Sequence, residues 1–357
     1  MKNQFNTLAT IGAILSFKSD SYLLKTTLQA ENFNWDDIVK IGSRHLVLPA
    51  IYCRLKEKQL LNCLPEDLVQ YLEKIATINR NRNLGILNEV KEISELFNKH
   101  QINHVFLKGT ALVAGNYYKD IAERMVGDID VLVASNQVQE AFELMQTINY
   151  NKPEEIRLRA TLFESRHLPR LTKKTALAAV EIHKKVLKKP YFDYLNPSEI
   201  LNNKNIFQGI SIPNSEHLLA HNVLNLQIND QGSYYNNINF RMAYDTISIL
   251  KKHSTIDIQH NYTNALFVKY FMRHGVFLKD INFKPTSFQN KIYLHFFKFK
   301  IKHQWFYSFW NSTLFYLDYS KFLLNRLWLF IFNKDYRNDI IKDRERVFRE
   351  HKKKLLN

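Results

Sequence analysis

The sequence predicts an α+β fold: a small mixed sheet at about residues 101–190, flanked by N- and C-terminal helical regions. Three observations predict it. Apolar residues recur at helical spacing through residues 20–100, short apolar runs bounded by turn residues replace them, and helical spacing returns after residue 214. Four regions follow in order: helices over 1–100, the α/β core over 101–190, a helical region packed on that core over 191–280, and a basic, aromatic-rich helical region over 281–357.

Within the first region, "WDDIVKIGSRHLVLPAIYCRLKEK" and "LPEDLVQYLEKIATINRNRNLGILNEVKEISELFNKH" carry the helical period, with Pro65 suited to the first turn of the second. "HVFL" (104–107) is a short buried strand leaving into Lys108-Gly109, and "TALVAGNYY" is a short helix. "DIDVLV" (128–133) is a second strand, stopped by Ser135-Asn136, which are placed to cap the helix "QVQEAFELMQTI". "AAVEIHKKV" (178–186) is a third strand. "SEHLLAHNVLNLQ" and "NINFRMAYDTISILKKH" are helical again.

Composition excludes several classes. The chain has 357 residues, 45% hydrophobic and 24% charged, which is the make-up of a globular protein rather than a disordered one. Cys53 and Cys63 are the only cysteines, so neither a disulfide scaffold nor a Cys-rich zinc module is available, and a reducing, cytoplasmic location is expected. "LATIGAILSF" (8–17) reads as a first helix rather than a signal peptide. The apolar run at 322–332 is interrupted by Arg326 and falls short of the roughly 20 residues a transmembrane helix needs. Dinucleotide-binding, P-loop, zinc-protease and nucleophile-elbow signatures are absent, and the 13 histidines lack metal-ligand spacing.

The chemistry lies in the carboxylates. In a strand, Asp128 and Asp130 share a face while Ile129, Val131 and Val133 bury on the other. Their Cβ atoms then lie roughly 6–7 Å apart, close enough for both carboxylates to serve a pair of divalent cations about 3.5–4 Å apart. In the third strand Glu181 and His183 share a face, and if that strand lies beside the second, Glu181 becomes a third carboxylate of the cluster. Oxygen-rich clusters of this kind suit Mg²⁺ or Mn²⁺. A solvent-exposed acidic sheet edge is the other reading of the same residues.

Together "VFLKGTAL", "RMVGDIDVLV" and "VEIH" resemble the signature of an uncharacterised nucleotidyltransferase family of the DNA polymerase β-like superfamily, with similar helical flanks over about residues 20–250. The resemblance implies transfer of a nucleoside monophosphate from an NTP to an acceptor hydroxyl on a small molecule, a protein or an RNA end. It makes Asp128, Asp130 and Glu181 the metal-binding and catalytic carboxylates, and Gly109-Thr110 the element that holds nucleotide phosphates. Lys108 and Arg124 would neutralise triphosphate charge, or else form ordinary surface salt bridges. His183 becomes a candidate either for supporting a metal ligand or for the acceptor site, with a purely structural role as the other reading, and His167 has the same standing. Thr110 replaces the family's usual Ser, and Lys184 stands where an aromatic is common. Two further readings are a catalytically silent nucleotide-binding module and an RNA-binding protein.

The net charge is +16, and residues 281–357 contribute 16 Lys/Arg against 6 Asp/Glu. "FFKFKIKHQWFYSFWNSTLFYLDYSKFLLNRLWLFIF" (296–332) interleaves aromatics with cations. Contact with an anionic partner through 296–354, either RNA or a membrane surface, competes with simple packing of the aromatics on the core.

Overall fold

Pro65 and the acidic pair Glu66-Asp67 open the longest helix of the computed structural model, which describes residues 4–152, 165–345 and 348–349. Helices α1 (Gln4–Leu15), α2 (Ser21–Leu28), α3 (Trp35–Arg44), α4 (Leu48–Glu57) and this α5 (Glu66–Lys99) precede the sheet. The caps are local. The Asp20 carboxylate accepts from the Tyr22 and Leu23 amides, and Asn34 accepts from the Asp37 amide. Leu46, in the left-handed region at φ 56°, separates α3 from α4. α1 buries Leu8, Ile11, Ile14 and Leu15. At Gly12 the backbone of Phe277 comes so close that a Cβ would lie 2.8 Å from its carbonyl carbon, so only glycine fits.

The sheet contains β1 (His104–Phe106), β2 (Ile129–Val133) and β3 (Val180–His183) in that order, with α6 (Lys108–Ala114) and α7 (Val138–Thr147) between them in sequence. β1 is antiparallel to β2, and β2 is parallel to β3 with Asp130 opposite Glu181. All five residues of β2 are buried, so Leu132 is enclosed along with Ile129, Val131 and Val133. The outer side of β3 is not an open edge. Leu168 donates to Ile182 O at 2.9 Å, and Leu171 and Val180 exchange bonds at 2.8 and 2.9 Å, which overturns the exposed-edge reading. The expected cap of α7 also differs. Gln137 is the N-cap residue with no side-chain bond to the helix, and its amide instead ties the Asn103 amide and the Gln101 carbonyl.

Beyond the core come α8 (Pro197–Asn202), β4 (Lys204–Phe207), β5 (Ile210–Pro213), α9 (Ser215–Leu224), α10 (Gly232–Tyr235), α11 (Phe240–Lys252), α12 (Ile258–Asn261) and α13 (Ala265–Gly275). The region expected to be helical over 191–280 therefore contains an antiparallel hairpin, whose β5 packs against β1. α14 (Phe288–Lys302), α15 (Gln304–Phe332) and α16 (Lys334–Lys342) follow. The 29-residue α15 buries none of its residues fully; Tyr307 is partly buried against the core, whereas Trp305, Phe309, Tyr316, Trp328 and Phe332 are exposed. Part of the 296–354 stretch, at 346–347 and from 350 onward, lies outside the described residues. Among the described residues no helix is long and apolar enough to cross a membrane.

Two buried histidines tie stability to pH. His104 is fully buried, its Nδ1–H donating to Ile102 O at 2.8 Å, and burial lowers its pKa to about 4. His274 is also fully buried, donating to Tyr270 O and accepting from the Asn239 amide, and burial with Arg273 nearby lowers it to about 3. As pH falls below the ordinary value of 6.5, the unfolded chain takes protons that the native imidazoles refuse. Stability therefore falls between pH 6.5 and about 4, by up to about 1.4 kcal/mol per pH unit for each histidine. Unfolding midpoints at pH 7.5 and 5 should show this drop. His104→Phe, in the cage of Phe97 and Phe106, should flatten it, and an unchanged slope in that variant would contradict the assignment.

Candidate active site

The site is assembled where the C-terminal end of β1 meets the paired ends of β2 and β3. Leu107 donates its amide to Asp130 O at 2.8 Å, continuing the β1 pairing, and the chain then turns into α6 through Lys108 at φ 52°. A left-handed conformation is unusual for a non-glycine residue. Here it accompanies a Lys108 side chain whose Nζ lies 2.5 Å from Asp130 Oδ1. Asp130 is 5% exposed and also accepts from His183 Nε2 at 2.8 Å. Burial opposes its ionisation, but Lys108 and His183 outweigh burial and hold the carboxyl below the usual range.

Glu181, opposite Asp130 across the parallel pair, is half-buried, with His183 Nε2 at 3.6 Å and His167 Nε2 at 3.9 Å. The His183 contact lowers its pKa, against burial and the charge of Asp130. Asp130, Glu181 and His183 each present one donor atom, all within 4.8 Å of one another. Two carboxylates and an imidazole are a donor set able to hold a divalent cation.

Asp128 is placed differently. It precedes β2 rather than lying in it, is more exposed than Asp130, and is engaged by Arg170. Burial, together with Asp130 and Glu181, raises its pKa despite Arg170. His167 packs its ring 5.1 Å from that of His183 and donates from Nδ1 to Leu168 O.

The other expected residues are drawn inward. Thr110 is 1% exposed and its hydroxyl donates to Asp128 O at 3.2 Å, fixing the backbone that carries the first carboxylate. Gly109 is buried against Arg124, and a Cβ there would lie 3.1 Å from the guanidinium carbon. Arg124 is not a surface residue. It is buried in an ion pair with Asp245, Nε lying 2.8 and 3.0 Å from the two carboxylate oxygens.

One cluster that positions the site was legible in the sequence only as part of a helical flank similar to the family's, with no role assigned to it. "NRNRN" (79–83) in α5 grips the segment leading into β2. Asn79 donates to Ala122 O and Arg124 O, and Asn83 donates to Ile121 O and Arg124 O. Arg80 makes a two-pronged pair with Asp120, and Arg82 donates to Val126 O, Gly127 O and Leu177 O. Glu89, about two turns on, accepts from the Leu177 and Ala178 amides just before β3. One helix thus holds the approaches to both acidic strands. His221 was also missed. Buried beside Lys108 in a small cavity with Asn222, Asn225 and Arg241, it is lowered to about 3 by burial and then by Lys108.

The sequence profile of the uncharacterised nucleotidyltransferase family matches residues 31–266, well over half of the chain. The chain belongs to this family. The matched span takes in α5, the whole three-stranded sheet and α9 to α11, and so every residue of the acidic cluster and its clamp. No curated protein matches the chain.

Proposed function

We propose that the chain transfers a nucleoside monophosphate from an NTP to an acceptor hydroxyl, with release of pyrophosphate, in a reaction that depends on Mg²⁺ or Mn²⁺. The observation that supports this most is the register that sets Asp130 opposite Glu181 at the mouth of the sheet in a member of this family. Asp130 and Glu181 would hold the metal, with Asp128 at the entry to β2 as a further oxygen donor. When bound, a divalent cation offsets triphosphate charge and favours ionisation of the attacking hydroxyl. His183, buried and bonded to Asp130, orients that carboxylate. Lys108, whose side chain is 26% exposed, is the cation best placed to meet a phosphate at the mouth. Glu181, held ionised by His183, would accept the acceptor's proton on its carboxylate.

Purified protein incubated with Mg²⁺, each labelled NTP and cell extract should pass label to an acceptor fraction, and chelation of the metal should abolish the transfer. Glu181→Gln should reduce turnover by orders of magnitude while NTP affinity stays within about tenfold, the pattern of a group needed in the transition state. Normal turnover in that variant would remove Glu181 from the mechanism. A second reading, a silent nucleotide-binding module, is favoured by one observation: Asp130 is already paired with Lys108, Asp128 with Arg170 and Glu181 with His183. Such a module would bind NTP equally with and without Mg²⁺ and transfer nothing.

A further inference from the structure

We propose that α15 is a docking face for an anionic membrane surface, on which it lies flat without crossing. Its inner side is fixed to the protein. Tyr234 donates to Leu314 O at 3.2 Å, Gln231 reaches Asp318 at 3.3 Å, and Phe306 and Trp310 join Phe296 of α14 in an aromatic cluster. The outer side is bare. Trp305, Phe309, Tyr316, Leu324, Leu327 and Trp328 are 50–70% exposed, with values of 67, 60, 63, 66, 55 and 58%. Exposed positions 305, 309, 312, 316, 320, 323, 327 and 331 recur every three or four residues and include no charged residue. The face runs the length of the helix, about 43 Å at 1.5 Å per residue. An apolar strip of that length, interrupted by Ser312 and Ser320, marks an interaction site.

Charge selects the occupant. Residues 281–357 carry 16 Lys/Arg against 6 Asp/Glu, and Lys298, Lys302, Lys321, Lys334 and Lys342 of α14, α15 and α16 are exposed. A second copy would bring the same excess of positive charge to the face and be repelled, whereas an anionic bilayer attracts it, by about 1 kcal/mol per basic residue near the surface. RNA would require several cations among the stacking rings, and between 305 and 331 the exposed residues supply one, Lys321. Aromatic and leucine side chains on one face, with lysines at the margins, are the make-up of a helix that settles at the headgroup boundary. Tryptophan near each end, at 305 and 328, suits that depth.

The full chain should float with vesicles of phosphatidylcholine and phosphatidylglycerol, bind vesicles of phosphatidylcholine alone at least about tenfold more weakly, and lose affinity as salt is raised. Brominated lipid should quench its tryptophan emission, a readout that requires no variant. The pairs Trp305→Gln with Phe309→Gln, and Leu324→Gln with Trp328→Gln, should each weaken binding at least about tenfold without changing far-ultraviolet circular dichroism. Failure to float, flotation without quenching, or equal binding by the variants would overturn the proposal. So would a salt-resistant dimer that either pair dissociates, or a gel shift with RNA that either pair abolishes.

Discussion

Asp130→Asn is expected to lower nucleotidyl transfer on the order of a thousandfold, the upper end of what loss of one preorganised electrostatic group costs. It should also remove the Mg²⁺ dependence of NTP binding. Asp130 is the one carboxylate that is at once buried, opposite Glu181 and bonded to both Lys108 and His183. Replacing its charge with an amide keeps an oxygen for His183 but removes the anion that a metal requires. The fold should survive, because Lys108 is partly exposed and can turn to solvent when its partner is neutralised. Transfer of label from NTP measures the first effect, calorimetry with each NTP, with and without Mg²⁺, measures the second, and circular dichroism checks the fold. Unaltered metal-dependent affinity in Asp130→Asn would place the cation elsewhere.

That carboxylate was legible in the sequence because strand periodicity is local. "DIDVLV" and "VEIH" each declare a strand, and in the register they adopt, with Asp130 opposite Glu181, the two carboxylates share a face. Asp128 was legible only as a residue type. Its partner Arg170 lies 42 residues along the chain, and where the strand begins is decided by tertiary pairing. "NRNRN" was legible as part of a helical flank but its clamping role was not, since polar residues inside a helix read as solvent-facing until their carbonyl partners 38–95 residues away are known. The β4–β5 hairpin turns at Gln208-Gly209, with φ of 49° and 80°, a left-handed pair that Asn-Gly announces and Gln-Gly does not. In α15 the helical stripe was readable but its neighbour was not, because apolar periodicity is the same whether the face meets protein or lipid.

Breaking the Arg124–Asp245 pair is expected to cost about 3–5 kcal/mol, since removing one partner leaves the other charge buried and unpaired. Asp245 is 1% exposed and also accepts from Tyr118 Oη at 2.6 Å, so Asp245→Leu strands both a guanidinium and a hydroxyl. Arg124→Met leaves a carboxylate in the same enclosure. Arg124→Met with Asp245→Leu removes both charges, and the double variant should recover much of the loss, as replacement of a buried pair by apolar side chains often does. Urea denaturation of the two single variants and the double variant measures the coupling, and additive effects below about 1 kcal/mol would show the pair to be solvated. The same series decides what Arg124 does. Its guanidinium lies against Gly109 and its carbonyl is held by Asn79 and Asn83, which makes it a brace between α5, α6 and α11. A brace predicts a double variant that is stable and binds NTP within about tenfold of wild type, whereas a phosphate ligand predicts one that is equally stable but has lost that affinity.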